Sequence, residues 1–504
     1  MNDLSPRQPQ RPLIWPDIIF QLKEFLAQTK DEVYIVGGAV RDALLHRPLK
    51  DIDLATSGDG MKLARRIANH FDGDFFALDS ERDVGRALVD TPDGRLMFDV
   101  AHFRGDGLLI DLRDRDFTLN AMAVDLHGDL SLLIDPLNGE SDIGARVLRR
   151  CTPYALATDP IRVLRAIRQS LQLGMHIETV TLADIRLVSP QLVNVSPERL
   201  RDEWFKLLAV SKPAAMLRVA DVVGVLKFVL PEVDELHGVQ QSPPHVRDVW
   251  GHTLAVVENV ANIVSVLDYH RSDNLTSSFS MGSMAVQLDA FRAHFRTHMD
   301  MQWPNERSHR ALLVFAAILH DVGKPATAQQ DQDGKWRFLD HEQVSARMVE
   351  ERATALRLSN AERERLVAIV RNHTRPLLLE SLTPRAIYRF WKQTGDAGVD
   401  ICLLSLADYL GTRAEHLNQA DWLKFVEKIR ILLEAYFERH DKLIEPPTLV
   451  DGNQLMRILN LKPGRVIGEL LELIKESQAA GEVQTVEDAL QLARSHLNDK
   501  HMTS

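Results

Sequence analysis

The 504 residues contain only two cysteines, Cys151 and Cys402. That excludes a disulfide framework and a cysteine-built zinc site, and a reducing compartment is expected. No run of 18 or more apolar residues occurs, so no membrane-spanning helix and no membrane partner are expected. The first dozen residues are polar and proline-rich, without the apolar centre of a signal peptide. They read as a disordered leader on a cytoplasmic protein. No internal repeat of fixed period is present. Positive charge is in deficit, with 60 Lys and Arg against 71 Asp and Glu and a net charge of −11. A DNA-coating protein is therefore not expected, although a local basic patch for RNA remains compatible with that balance. The hydrophobic fraction is 45% and the charged fraction 26%. Both are ordinary for globular chains, and the length suits roughly three domains.

Helical spacing of Ile18, Ile19, Leu22, Phe25 and Leu26 predicts a first helix over 17–28. Val33 to Val36 is a short apolar run ended by Gly37-Gly38, which reads as a buried strand, and 39–45 suits a helix. Strand-like pieces recur at Phe75–Leu78, Arg86–Val89, Leu96–Val100 and Met122–Asp125. From Pro160 onward the periodicity is helical, as in Ile161, Leu164, Ile167 and Leu171. Gly238, Pro243 and Pro244 mark one break and Glu445-Pro446-Pro447 another, while the Ser-rich stretch 273–283 reads as an exposed insertion loop.

The first chemical constellation is Gly37-Gly38-Ala39-Val40-Arg41-Asp42 followed by Asp51-Ile52-Asp53. Two glycines between a strand and a helix let a phosphate approach the backbone, and the helix N-terminus adds amide donors. Arg41 offers a planar fork for phosphate. Residues two apart on a strand share a face, so Asp51 and Asp53 present paired carboxylates suited to Mg²⁺. In this order and spacing the segment resembles the head motif of the class II tRNA nucleotidyltransferase and bacterial poly(A) polymerase family.

The resemblance extends along the chain. Phe98 to Arg104 looks like the family's later strand, where Asp99 assists the metal pair as a third catalytic carboxylate. Arg115-Asp116-Phe117-Thr118-Leu119-Asn120 looks like the motif that contacts nucleotide sugar and phosphates, and Asp135-Pro136-Leu137-Asn138-Gly139 takes a hinge-like position. Asp159-Pro160-Ile161-Arg162 resembles the nucleotide-selecting motif. There an Asp and an Arg imitate a base-pairing edge, with Arg165 nearby for phosphate. Two positions depart from the family pattern: Thr158 stands where Glu is usual, and Asp114 where a second arginine often stands. The nucleotide preference is left open by them.

Residues 141–220 carry twelve Lys or Arg against seven Asp or Glu, a local balance of +5 suited to tracking an RNA backbone. Arg199, Arg201 and Lys206 are the RNA-binding candidates there. Arg465 joins them in Leu461–Gly468, which resembles the C-terminal segment of nucleotidyltransferases that carry an HD domain, where gripping the tRNA and packing are the two roles open to it.

A second constellation is His252, His320-Asp321, His341, His373 and Asp408. Imidazoles and carboxylates are common ligands of divalent metals. The order resembles the HD phosphohydrolase domain. That resemblance implies one divalent transition metal or Mg²⁺ on His252, His320, Asp321 and Asp408, and a second on His341 and His373. His245 and Asp248 are expected as supporting residues.

The fold class implied is α+β. A nucleotidyltransferase head (a mixed sheet with flanking helices) over 29–145 follows a leader and first helix (1–28). A helical neck (146–236), an HD domain (237–440) and a helical tail (441–504) complete it. The implied activity is template-independent CCA addition to tRNA from CTP and ATP with Mg²⁺, plus phosphoester hydrolysis at the HD site. The alternatives are a poly(A) polymerase, an enzyme restricted to CC or A addition, and an RNA- or nucleotide-sensing HD hydrolase with an inactive head.

Overall fold

The computed structural model describes residues 4–92, 94–268, 278–413 and 416–502. The chain packs as two compact units. One comprises Met1–Val195 with Val223–Val225, and the other Ser196–Val222 with Leu226–Ser504. The division falls inside the segment expected to be a neck.

In the first unit the elements run α1 (Asp17–Leu26), β1 (Val33–Val36), α2 (Gly38–Leu44), β2 (Asp51–Thr56) and α3 (Gly60–His70). They continue as β3 (Asp74–Asp79), β4 (Val84–Thr91), β5 (Gly94–His102), α4 (Leu108–Arg113) and β6 (Ala123–Asp125). The strands make one mixed sheet, ordered β3-β4-β5-β2-β1-β6, in which β2 and β5 are parallel and the other pairs antiparallel. On β2, Ile52 and Leu54 are buried while Asp51 and Asp53 face away from them.

The N-terminal stretch corrects the expectation of a disordered leader. Arg7 exchanges backbone hydrogen bonds of 2.9 and 2.8 Å with Leu133. Its guanidinium donates to Glu140 at 2.6 Å and to Asp135 at 3.0 Å. A few well-placed partners outweigh the low apolar content of that segment.

The second unit is helical, with two short ladders that the helical periodicity did not announce: Gln302–Trp303 with Arg307–Ser308, and Ala328–Gln330 with Trp336–Phe338. A third, Val147–Leu148 with His176–Ile177, lies in the first unit. The helices Val249–Leu267, His309–Leu319, His341–Ala355, Asn360–Asn372 and Gly398–Arg413 pack together. The expected insertion loop is only partly met. Residues 273–277 lie outside the described residues, and Ser278 caps a helix over Phe279–Gln287 by accepting from the Met281 amide. Among the described residues no helix is long and apolar enough to cross a membrane.

A buried polar knot ties the next helix, Arg292–Asp300, to the helix Gly398–Arg413. Asp400 contacts His298 Nε2 at 2.8 Å and accepts from Arg365 Nε at 2.7 Å. Burial alone would raise the Asp400 carboxyl, but His298 and Arg365 hold it down at about 2. A folded-state value below the ordinary carboxylate range stabilises the fold above that range, and the contribution is lost as pH falls toward 2. The stability gap between the wild type and Asp400→Asn is therefore expected to be about 2 kcal/mol near neutrality. It should narrow below about pH 4 in urea titrations.

Candidate functional site

The head site is set by strand register. Val36 pairs with Asp53 across β1 and β2, and the chain then turns at Gly37 with φ +74°. A Cβ on Gly37 would lie 2.9 Å from Asp53 Oδ2 and 2.8 Å from an Arg115 guanidinium nitrogen. Only glycine combines that backbone angle with that approach. The glycine turn, the carboxylate and the arginine therefore share one small volume. Burial pushes the Asp53 carboxyl up, and although Arg115 opposes the shift, the charges of Asp99 and Asp51 add to it. A divalent cation relieves such repulsion, and an oxygen-only donor pair suits Mg²⁺.

Asp99 lies directly across from Asp53 in the parallel ladder. Its two oxygens, however, accept from Arg86 Nε at 2.7 Å and Nη2 at 2.9 Å. This bidentate pair engages both Asp99 oxygens beside the Asp53 strand. Among the described residues the head carboxylates do not form a cluster of three within 4.8 Å.

Arg115 is fixed by Asp111, which accepts from its Nε at 3.1 Å and Nη2 at 3.0 Å. Asp116 accepts from Asn120 Nδ2 at 2.9 Å, and Asn120 in turn accepts from Arg41 at 2.7 Å. Burial would raise the Asp116 carboxyl, but Arg165, 3.9 Å away, together with Asn120, the Phe117 amide and Arg162, brings it below its ordinary value. The rest of the Arg41 fork grips Asp42 at 2.9 and 2.8 Å. Arg41 therefore braces Asn120 beside the glycine turn.

Arg162 is held mainly by backbone. Its terminal nitrogens donate to the carbonyls of Asp114 at 2.7 Å and Ala155 at 2.9 Å. Its Nε lies 3.9 Å from Asp159, beyond hydrogen-bond reach. The Asp159/Arg162 edge is not assembled in this arrangement, because nearer backbone acceptors engage the guanidinium first.

The RNA candidates separate by exposure. Arg199, Lys206 and Arg465 are exposed, Arg465 pairing with Glu469 at 3.1 Å. Arg201 is only 8% exposed and donates to Asp202 at 2.8 Å and the Arg357 carbonyl at 2.6 Å. Its expected RNA contact is thereby corrected to a packing role.

At the HD site the expected residues converge. His252 Nε2 lies 3.1 Å from Asp408 and 3.4 Å from Asp321, while His320 Nε2 lies 3.1 Å from Asp321. On the other side of the same carboxylate, His341 and His373 approach Asp321 Oδ1 at 3.3 and 3.9 Å. The triads His252/His320/Asp321 and Asp321/His341/His373 thus share Asp321. His320, His341 and His373 each engage Nδ1 with the carbonyl three residues earlier, at 2.8, 2.8 and 2.7 Å, which turns Nε2 inward. Burial keeps His252 low and His373 at about 4, so both are neutral donors. Burial also works against charge on His320 and His341, but the Asp321 carboxylate outweighs it. Both Asp321 oxygens are buried without a well-angled hydrogen bond, and this donor set fits a metal pair.

His245 stands 5.1 Å from the His252 ring, and Asp248 caps the helix that carries His252 through the Gly251 amide at 2.8 Å. Lys324 is a residue the sequence motif held but left without a role. Its Nζ lies 2.7 Å from Asp321 and donates to Gln241 at 2.8 Å. Asp111 and Arg86 were also missed, being single members of common residue types outside any motif.

Three family profiles match in the order of these sites: the poly A polymerase head domain at 33–149, a "probable RNA and SrmB-binding site of polymerase A" at 174–236, and the HD domain at 249–413. The CC-adding tRNA nucleotidyltransferase of Geobacter sulfurreducens is 30% identical over 475 residues, covering 94% of this chain and 92% of its own. The A-adding tRNA nucleotidyltransferase of Deinococcus radiodurans is 31% identical over 464 residues, covering 90% and 93%. The Thermotoga maritima CCA-adding enzyme, solved with tRNA, shares the fold at a TM-score of 0.54 and 20% identity, covering 98% and 99% of the two chains. A glycine turn closed over Asp53, an HD cluster and end-to-end likeness to these relatives make the chain a member of the tRNA nucleotidyltransferase family.

Proposed function

We propose that this chain adds the C and A nucleotides of the CCA end to tRNA, without a template, from CTP and ATP. The observation that carries the reading is the closure of Gly37, Asp53 and Arg115 on one another. Asp51 and Asp53 are the residues that would hold Mg²⁺, which supplies charge stabilisation for attack of the tRNA 3′-hydroxyl on the α-phosphate and for departure of pyrophosphate. Arg115, fixed by Asp111, sets a cation beside that centre. Asn120, braced by Arg41 and Asp116, holds polar groups where the nucleotide sugar is expected. Gly37 and Gly38 bring backbone close to the phosphates. Asp159, Arg162 and Arg165 select the base once Arg162 exchanges a carbonyl partner for the nucleotide. Arg199, Lys206 and Arg465 contact the tRNA backbone. The family's relatives solved with ATP and with CTP are consistent in chemistry with that pocket.

A narrower reading, addition restricted to CC or to A, is favoured by one observation. Three relatives that match nearly end to end carry the names CC-adding, A-adding and CC-adding. The intact Asp51/Asp53 pair opposes an inactive head, and the low cysteine content suits the cytoplasm.

At the second site His252, His320, Asp321 and Asp408 would hold one divalent metal and His341 and His373 another, which supplies activation of water against a phosphoester. Terminal phosphates and 2′,3′-cyclic phosphates of damaged tRNA ends are the substrate class proposed.

Labelled tRNA lacking its CCA end, incubated with Mg²⁺, CTP and ATP singly and together, tests the reading. Three added nucleotides support CCA addition, two from CTP alone support CC addition, and an A ladder supports poly(A) synthesis. No extension by the folded protein contradicts the transferase reading. Asp53→Ala is expected to lower transfer by at least about 10³-fold while leaving phosphoester hydrolysis intact, and His320→Ala to do the reverse. Loss of both activities in either folded variant contradicts two separate sites. Gly37→Ala is expected to lower stability by about 1–3 kcal/mol in urea unfolding and to remove most transfer activity.

A further inference from the structure

Arg104, at the end of β5, has no part in the roles assigned above. Its backbone N–H donates to Asp111 Oδ1 at 3.2 Å, the carboxylate whose other oxygen fixes Arg115. Its Nη1 donates at 3.4 Å to the Asp114 carbonyl, the same oxygen that Arg162 engages at 2.7 Å. Three guanidinium groups therefore gather around Asp111 and Asp114, whose carboxylates lie 3.9 and 3.5 Å from the Arg104 fork. The three differ in how firmly they are held. Arg115 and Arg162 each make contacts of 3.1 Å or less, whereas the Arg104 side chain makes none shorter than 3.4 Å and is 51% exposed. The chain then runs through Gly105 and Gly107, both at positive φ, which leave the Arg104 side chain little bulk to compete with on that edge.

The charges agree with this picture. Burial and the neighbouring Arg115 lower Arg104 from its ordinary value, with Arg162 adding to the effect. Arg104 shares Asp111 with Arg115, whose guanidinium flanks the Gly37 turn beside Asp53, which places it next to the aspartate site. A polyanion would relieve the arginine repulsion and meet a planar fork whose donors are loosely engaged.

We propose that Arg104 grips the pyrophosphate portion of the incoming nucleoside triphosphate and keeps hold of it as the leaving group. This rests on the reading of the head as a nucleotide-binding transferase site. It assigns discrimination between triphosphate and monophosphate to one loosely held side chain, with Arg115 and Arg162 as its frame.

Calorimetric titration of the full chain with CTP and with CMP in Mg²⁺, alongside tRNA extension, tests it in the wild type, Arg104→Ala and Arg104→Lys. Arg104→Ala is expected to bind CTP about 10- to 100-fold more weakly, with CMP affinity, the KM for tRNA and the melting temperature unchanged. Inhibition by inorganic pyrophosphate should weaken in parallel, and Arg104→Lys should recover part of both. Equal loss of CTP and CMP affinity, or no loss of either, overturns the proposal. A wild type that extends tRNA while Arg104→Ala keeps its CTP affinity contradicts the Arg104 role alone. A wild type that binds CTP through Arg104 without extending tRNA contradicts the transferase reading alone, and one that binds no CTP contradicts both.

Discussion

The close approach of Gly37 to Asp53 and Arg115 is the constraint on which the head depends. A missing Cβ lets the β1 turn lie against a carboxylate on the neighbouring strand, and the register Val36 to Asp53 fixes which carboxylate that is. The sheet order then adds the remaining charges. Because β2 lies between β1 and β5, Asp53 faces the glycine turn on one side and Asp99 on the other. The result is a corner where negative charge is crowded and cations are held at fixed distances. Such an arrangement is costly without a ligand and complementary to one that brings both metal and phosphate.

The HD site solves a similar problem by sharing. Asp321 is the one carboxylate that both histidine groups approach, and backbone carbonyls fix three of the imidazoles in the orientation that points Nε2 at it. Burial keeps the charge on part of this cluster low, so the site offers neutral donors around a buried anion. The two sites lie in separate compact units, each with its own scaffold.

Much of this was legible in the residues. The strands of the head follow from short apolar runs and from glycine punctuation, and the paired aspartates from a two-residue period. The HD ligands follow from the resemblance of their order to the HD phosphohydrolase domain. Partner choice was not legible. Arg41, Arg162 and Arg201 are all capable of holding a ligand, yet Asp42, two carbonyls and Asp202 reach them first. The pairing of Asp99 was hidden because sequence names a carboxylate without naming Arg86 opposite it on β4. Asp111 and the docking of Arg7 were hidden for the same reason. Each depends on which side chain arrives across a turn or from a distant segment, and no local period records that.

The most direct measurement of the central claim is an electron paramagnetic resonance titration of Mn²⁺ with CTP present, comparing the wild type with Asp53→Asn. The account predicts that the variant loses the Mn²⁺ bound together with CTP and retains the Mn²⁺ bound by the histidine cluster. Unchanged CTP-dependent Mn²⁺ binding in folded Asp53→Asn would contradict it.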